Sequence, residues 1–134
     1  MESSYPDYYE NLRKLSGKLT RELRSPMSAF FQLSGAAMAD GALNGKTKQL
    51  IALGIGVTLR CDGCIAYHVH DAIRAGATRQ EIMETIGVAV FMGGGPSMVT
   101  AARRWKHLIS LKPPACSRLP SRPWPSPPPR GSPG

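Results

Sequence analysis

The distribution of proline is the feature that most limits how this chain can fold. Nine of its 12 prolines lie at or after Pro113, in the stretch that ends at Gly134. Proline lacks a backbone N–H and fixes φ, so this stretch cannot continue a helix or a central strand. We therefore expect a helical domain over residues 1–112 and a disordered, proline-rich tail over residues 113–134.

The same division separates the positive charge of the chain into two parts. The net charge of +8 and the pI near 9.9 would often indicate a nucleic-acid or membrane partner. Three of the arginines lie in the tail, which has no acidic residue, and along residues 7–24 the basic residues alternate with acidic ones. No apolar run is long enough to span a membrane, and the N-terminus has no signal-peptide core. We expect a cytoplasmic protein with no nucleic acid and no membrane as partner.

Hydrophobic periodicity predicts helices in the first half of the chain. Apolar residues recur every three or four positions over residues 7–24, which predicts an amphipathic helix. Ser25 and Pro26 predict the start of a second helix, with Ser25 as its N-cap. Residues 46–60 are apolar without the alternation of a half-buried strand, which favours a third, buried helix.

Helix-boundary signals predict two further helices, and the fold class is therefore all-α. One helix begins at the cysteine pair that starts with Cys61 and is closed by Gly76. The other follows a capping box formed by Thr78 and Glu81. We expect it to kink or break at residues 93–96, Gly-Gly-Gly-Pro, where the glycines also allow another backbone to come close.

The motif with the clearest chemical meaning is CxxCxxxH, formed by Cys61, Cys64 and His68. At the start of a helix, free N–H groups and the helix dipole stabilise a thiolate. The two cysteines share a face of the first turn and can close a small disulfide ring. His68 lies one turn beyond Cys64, where it can accept the thiol proton or stabilise the thiolate. This arrangement favours redox chemistry.

Two alternatives to redox chemistry remain open for this motif. A structural zinc site needs four ligands, and the motif supplies three. His70 points elsewhere on the helix, so His107 and Cys116 are the remaining candidates for a fourth ligand. The cysteines could also be a buried structural pair, with His68 as a satisfied core residue. We expect no metal and no other cofactor.

Four segments together resemble a known family: LIALGIGV, CDGCIAYH, AIRAGAT with its following Glu-Ile pair, and the glycine-rich segment. Over residues 46–102 the sequence resembles the carboxymuconolactone decarboxylase-like family. More narrowly, it resembles the AhpD-like (alkylhydroperoxidase) branch, which carries CxxCxxxH. The decarboxylases themselves lack the cysteine pair, so the resemblance does not imply the lactone reaction.

The resemblance implies an AhpD-like helical domain that forms a homotrimer or homohexamer. It implies a peroxidase, a peroxiredoxin-type oxidoreductase that reduces an alkyl hydroperoxide or another peroxide. A dithiol reductant such as a lipoyl protein would restore it. By position, Cys64 matches the thiol that attacks the peroxide, Cys61 the resolving thiol, and His68 the histidine of a proton relay. The apolar surface of residues 50–59 and 82–99 also favours an oligomer.

One position departs from the family pattern. The family has a glutamate 12 residues before the first cysteine, where this chain has Gln49. Glutamine forms hydrogen bonds but does not carry a proton at neutral pH. We therefore expect a slow peroxidase. The alternative is a thiol–disulfide exchange protein or redox sensor without efficient peroxidase turnover.

Overall fold

The computed structural model describes residues 5–104 and Leu108, and this part of the chain is helical without any strand, as predicted. Its helices are α1 (Tyr5–Glu22), α2 (Arg24–Met38), α3 (Gly45–Thr58), α4 (Asp62–Arg74) and α5 (Arg79–Arg103). The predicted proline-rich tail lies outside the described residues, so the boundary at residue 112 stays a prediction.

Helix α3 is the centre of the domain, and α4 and α5 pack against it. Burial of apolar side chains is the main stabilising contribution to such a helix. The buried apolar core is formed by residues Leu53, Val57, Ile65, Val69, Ile82, Ile86, Ala89, Ala101 and Leu108. Helix α1 packs mainly on α4, whereas α2 has no buried residue.

The helix that was predicted to start at Ser25 begins earlier. Helix α2 starts at Arg24, and its N-cap is Leu23, which makes no side-chain capping hydrogen bond. The prediction of Ser25 as N-cap was therefore wrong. The backbone explains the shift, because the Met27 N–H already donates to the Leu23 carbonyl at 3.0 Å. Pro26 lies in the first turn, where its missing N–H costs no hydrogen bond.

The predicted end of α4 and the predicted start of α5 are confirmed. The Thr78 side chain accepts a hydrogen bond from the Glu81 N–H, and the Glu81 carboxylate accepts one from the Thr78 N–H, which is the expected capping box. Gly76 ends α4 with φ +92°, in the left-handed region that favours glycine. Asn44 is the N-cap of α3, and its side chain accepts a hydrogen bond from the Thr47 N–H at 2.9 Å.

Helix α5 changes direction in its glycine-rich segment, as predicted. Gly94 has φ 66° and ψ −151°, which is not helical, and Pro96 follows it. The atoms nearest to Gly93 belong to side chains, and not to another backbone as predicted. A Cβ there would lie 1.8 Å from Ser97 Oγ and 3.3 Å from Thr58 Cγ2 of α3. At Gly94 and Gly95 the same test finds no atom within 4 Å.

Much apolar surface stays exposed in the protomer. Helix α3 buries only one face, because Ile55 is 54% exposed and Leu59, just after the helix, is 68% exposed. On α5, Phe91 is 84% exposed and Met92 is 72% exposed. By length and composition alone α5 is long and apolar enough to cross a membrane, although the sequence predicts no membrane span. Its first half nevertheless packs on α3 as part of the core.

Candidate redox site at the start of α4

Cys61 lies at the junction of two helices, and backbone hydrogen bonds hold it there. Its N–H donates to the Gly56 carbonyl at 3.0 Å, and the Arg60 N–H donates to the Val57 carbonyl at 3.1 Å. These two bonds form a Schellman motif at the end of α3. Arg60 takes the left-handed position with φ 57°, where glycine is usual. Cys61 is therefore both the last residue of this motif and the N-cap of α4.

Cys61 and Cys64 form a disulfide, with their Cα atoms 5.2 Å apart. The Cys64 N–H donates to Cys61 Sγ at 3.2 Å, so the N-cap sulfur receives the hydrogen bond of the first turn. Both cysteines are half-buried. Cys64 also packs closely on α3, because a Cβ at Gly56 would lie 3.2 Å from Cys64 Cβ. The disulfide can be reduced to two thiols and formed again, which is a reversible two-electron change.

His68 and Gln49 come together across the interface of α3 and α4. Gln49 Oε1 lies 2.8 Å from His68 Nδ1. When Oε1 accepts this hydrogen bond, Nδ1 carries the proton and Nε2 is the ring nitrogen that can accept another one. Burial lowers the pKa of His68 below its ordinary value, and the Asp71 carboxylate opposes part of this effect. The lowered pKa favours the neutral imidazole, which belongs to the residue four positions after Cys64.

Helix α1 lies against the start of α4. A Cβ at Gly63, between the cysteines, would lie 3.2 Å from Leu12 Cδ2. Tyr9 stacks on His70 with ring centroids 4.2 Å apart and meets Tyr67 edge-on at 5.3 Å. Burial, together with the Asp71 and Tyr67 charges, raises the pKa of Tyr9 to about 12. Tyr67 and His70 are thus both half-buried against α1.

An ion pair at the cysteine pair was missed by sequence reasoning. Arg104, at the end of α5, donates from Nε to Asp62 Oδ1 at 2.8 Å and from a terminal nitrogen to Asp62 Oδ2. Asp62 is the residue directly after Cys61. Its carboxylate was visible in the motif, but no spacing rule connects it to a residue 42 positions later. Only the packing of α4 and α5 on α3 brings the two side chains together.

Residues 5–104 contain no cluster of three or more histidine, cysteine or acidic side chains placed to hold a metal ion. Two of the residues considered as a fourth zinc ligand, His107 and Cys116, lie outside the described residues. His70, the third, is engaged with Tyr9 and with the Asp71 carboxylate, whose Oδ1 lies 3.0 Å from His70 Nδ1. In the described part of the chain the site consists of the Cys61–Cys64 disulfide with His68 and Gln49 beside it in the fold.

The family profile for carboxymuconolactone decarboxylases matches residues 26–107. The chain belongs to the carboxymuconolactone decarboxylase family. An uncharacterised protein of Cupriavidus necator is 37% identical over 95 residues, which cover 71% of this chain and 84% of that protein. "Uncharacterized protein 4 in cox locus" of Paracoccus denitrificans is 44% identical over 85 residues, 63% of this chain and 77% of that protein.

Two solved structures share the fold. A family protein of Legionella pneumophila, in its apo form, is 38% identical, with a TM-score of 0.73 over 78% of this chain and 93% of its own. A family protein of Thermotoga maritima, described as a candidate for the antioxidative response, is 33% identical. Its TM-score is 0.67 over 76% of this chain and 86% of its own. The all-α fold predicted from the sequence is thereby confirmed.

Proposed function

We propose that this protein is a slow, thiol-dependent peroxidase of the AhpD-like type, with Cys61 and Cys64 as its redox pair. The observation that carries the proposal is the disulfide at the start of α4, with His68 one turn further along and bound to Gln49. The substrate class is an alkyl hydroperoxide or another peroxide. A reducing, cytoplasmic compartment fits this chemistry, because the dithiol must be regenerated there.

The proposed cycle has three balanced steps. The Cys64 thiolate attacks the peroxide oxygen that carries hydrogen, and the O–O bond breaks. Cys64 becomes a sulfenic acid, and the departing alkoxide takes up a proton and leaves as an alcohol. The Cys61 thiol then displaces hydroxide from that sulfur, which forms the disulfide and releases water. An external dithiol, such as a lipoyl protein, reduces the disulfide by two exchanges and leaves as its own disulfide.

Gln49 limits the first of these steps. The efficiency with which His68 Nε2 accepts the Cys64 proton depends on the basicity of the imidazole. Burial lowers the pKa of His68, and an amide at Nδ1 cannot offset that effect as a carboxylate would. We therefore expect thiol deprotonation to be slow compared with a family member that has glutamate at this position.

One observation favours thiol–disulfide exchange without peroxide turnover as the second candidate. The first-turn N–H donates to Cys61 Sγ, not to Cys64 Sγ. After reduction, the same N–H would stabilise a Cys61 thiolate at the N-cap. A stabilised Cys61 thiolate suits attack on the disulfide of a partner protein, whereas the peroxidase cycle needs an attacking Cys64.

Single-cysteine variants distinguish the two candidates. Cys61→Ser and Cys64→Ser are made in a Cys116→Ser background, so that one motif thiol remains in each protein. Each is reduced, mixed with cumene hydroperoxide and then treated with dimedone, and the adduct is measured by mass spectrometry. The peroxidase proposal expects a sulfenic acid adduct on Cys64 in the Cys61→Ser variant and little on Cys61 in the Cys64→Ser variant.

The other outcomes contradict the peroxidase proposal. If neither variant forms an adduct, while the protein with both motif cysteines exchanges with oxidised lipoamide, the exchange function replaces it. If Cys61 alone forms the adduct, the assignment of Cys64 as the attacking thiol is wrong. The Cys116→Ser protein with both motif cysteines serves as the control for loss of fold.

A further inference from the structure

We infer that Arg104 is a positioning residue that sets the redox equilibrium of the Cys61–Cys64 pair by neutralising Asp62. The inference rests on the proposed redox function of this pair, though not on peroxide as its oxidant. Its basis is the two-point ion pair between the Arg104 guanidinium and the Asp62 carboxylate. Paired hydrogen bonds of this kind fix both the position and the orientation of the two side chains.

Asp62 lies at a sensitive place for the two sulfurs. It is the first residue of α4, and its neighbours in the motif are Cys61 and Gly63. A nearby negative charge destabilises a thiolate, whereas a nearby positive charge stabilises the thiolate. An acidic residue inside a CxxC motif therefore works against the helix dipole, which stabilises the thiolate.

Arg104 opposes that effect of Asp62 from another part of the fold. Helices α4 and α5 both pack mainly on α3, so the ion pair is a bridge between elements that otherwise touch little. The Arg104 side chain is 24% exposed and that of Asp62 is 42% exposed. Partial burial weakens screening by salt, so the pair acts on its neighbours more strongly than a fully exposed pair would.

The consequence is a defined direction for the redox equilibrium. When two glutathione thiols reduce the pair, the Cys61–Cys64 bond breaks and one glutathione disulfide forms. The two protein sulfurs take up the electron pair as one thiol and one thiolate, and the second glutathione proton goes to water. A group that stabilises the thiolate favours the reduced protein and raises the reduction potential. Arg104 favours the reduced form, and Asp62 without its partner favours the disulfide.

Two single variants and their combination test this assignment. Arg104→Gln leaves an uncompensated carboxylate and should shift the glutathione equilibrium toward the disulfide by about threefold to tenfold, or about 14–30 mV. Asp62→Asn leaves the guanidinium and should shift the equilibrium toward the dithiol by a similar factor. The double variant should return close to the native value. Arg103→Gln, an exposed neighbour on α5, is the matched control and should not shift it.

The two single variants should shift the glutathione equilibrium in opposite directions, and this distinguishes the proposed role from a purely structural one. Each single variant breaks the same ion pair, so a structural role would shift the equilibrium in the same direction in both. Shifts of the same sign, no shift, or no reduction by glutathione or dithiothreitol would overturn the inference. The pKa of the remaining thiol, titrated in the Cys61→Ser and Cys64→Ser backgrounds, should rise with Arg104→Gln and fall with Asp62→Asn.

The equilibrium measurement needs no peroxide, so the two proposals can fail separately. Opposite shifts in a protein that forms no sulfenic acid would leave the Arg104 assignment intact and remove the peroxidase function. If Cys64 forms a sulfenic acid but both single variants shift the glutathione equilibrium in the same direction, the peroxidase function stands and the Arg104 assignment fails. His68 and Arg60, the other basic groups of the motif region, stay unchanged in every variant.

Discussion

Gln49 is the single side chain with the greatest expected effect on the chemistry of the site. Its amide oxygen lies 2.8 Å from His68 Nδ1. A carboxylate at that distance would favour the imidazolium and so make His68 a stronger proton acceptor. Gln49→Glu should therefore raise the rate at which cumene hydroperoxide oxidises the reduced protein by several-fold at least, as followed by thiol loss.

The control for this variant is Gln32→Glu, which adds the same charge to an exposed position of α2. It should leave the oxidation rate unchanged. The pKa of His68, followed by NMR, should rise in Gln49→Glu. An unchanged oxidation rate together with a raised His68 pKa would mean that proton transfer is not what limits the native protein.

His68 also makes stability depend on pH. Burial holds its pKa in the folded protein below the ordinary value of 6.5, so the unfolded chain binds a proton first as the pH falls. Stability linked to this group is therefore complete above about pH 6.5 and is lost as the pH falls toward the folded-state pKa. Urea unfolding at pH 7.5 and 5.5 should show a larger loss for the native protein than for His68→Gln, both with the disulfide intact. Equal losses would contradict this assignment.

At the scale of the helices, most of the local signals in the sequence predict the boundaries that the structure has. The capping box of Thr78 and Glu81, the end of α4 at Gly76 and the break in α5 are of this kind. Ser25 was assigned wrongly because the end of α1 already supplies a carbonyl, that of Leu23, to the first turn of α2.

The close contact at Gly93 predicts opposite effects for two glycines of α5. Gly93→Ala would bring a Cβ within 1.8 Å of the buried Ser97 Oγ, and should lower the free energy of unfolding by about 1–3 kcal/mol. Gly87→Ala, where no atom lies within 4 Å, should raise it by about 0.5–1 kcal/mol. Urea unfolding of both variants measures the difference.

Ser97 offers a second check on this contact. Its hydroxyl is buried and has no hydrogen-bond partner among the described residues. Ser97→Ala should therefore be neutral or stabilising, since it removes an unpaired buried polar group. Combined with Gly93→Ala, it should recover part of the lost stability. A Gly93→Ala protein as stable as the native one would contradict the packing described for the kink.

At the scale of the whole molecule, the exposed apolar surface favours the oligomer predicted from the sequence. Phe91 and Met92 of α5, at 84% and 72% exposed, are examples of side chains that one protomer leaves in water. We expect light scattering at micromolar concentration to give a multiple of the 14.5 kDa chain mass. Phe91→Glu should lower that mass to the monomer, because it places a charge in an apolar interface.

Gln32→Glu is again the control, and it should keep the native mass. A monomeric native protein would contradict the oligomer and would leave the exposed faces of α3 and α5 without a partner copy. A Phe91→Glu protein with the native mass would exclude this part of α5 from the interface.

The sequence by itself determined the helices, the capping box at the start of α5 and the redox motif, because periodicity, capping and the CxxCxxxH spacing act over one or two helical turns. It also placed Gln49 at a position of consequence, through the resemblance to a family pattern. Only the tertiary structure decided which face of α3 is buried and that Arg104 neutralises Asp62. These contacts join residues far apart in the chain, and their distance depends on how α4 and α5 pack on α3, which no local pattern specifies.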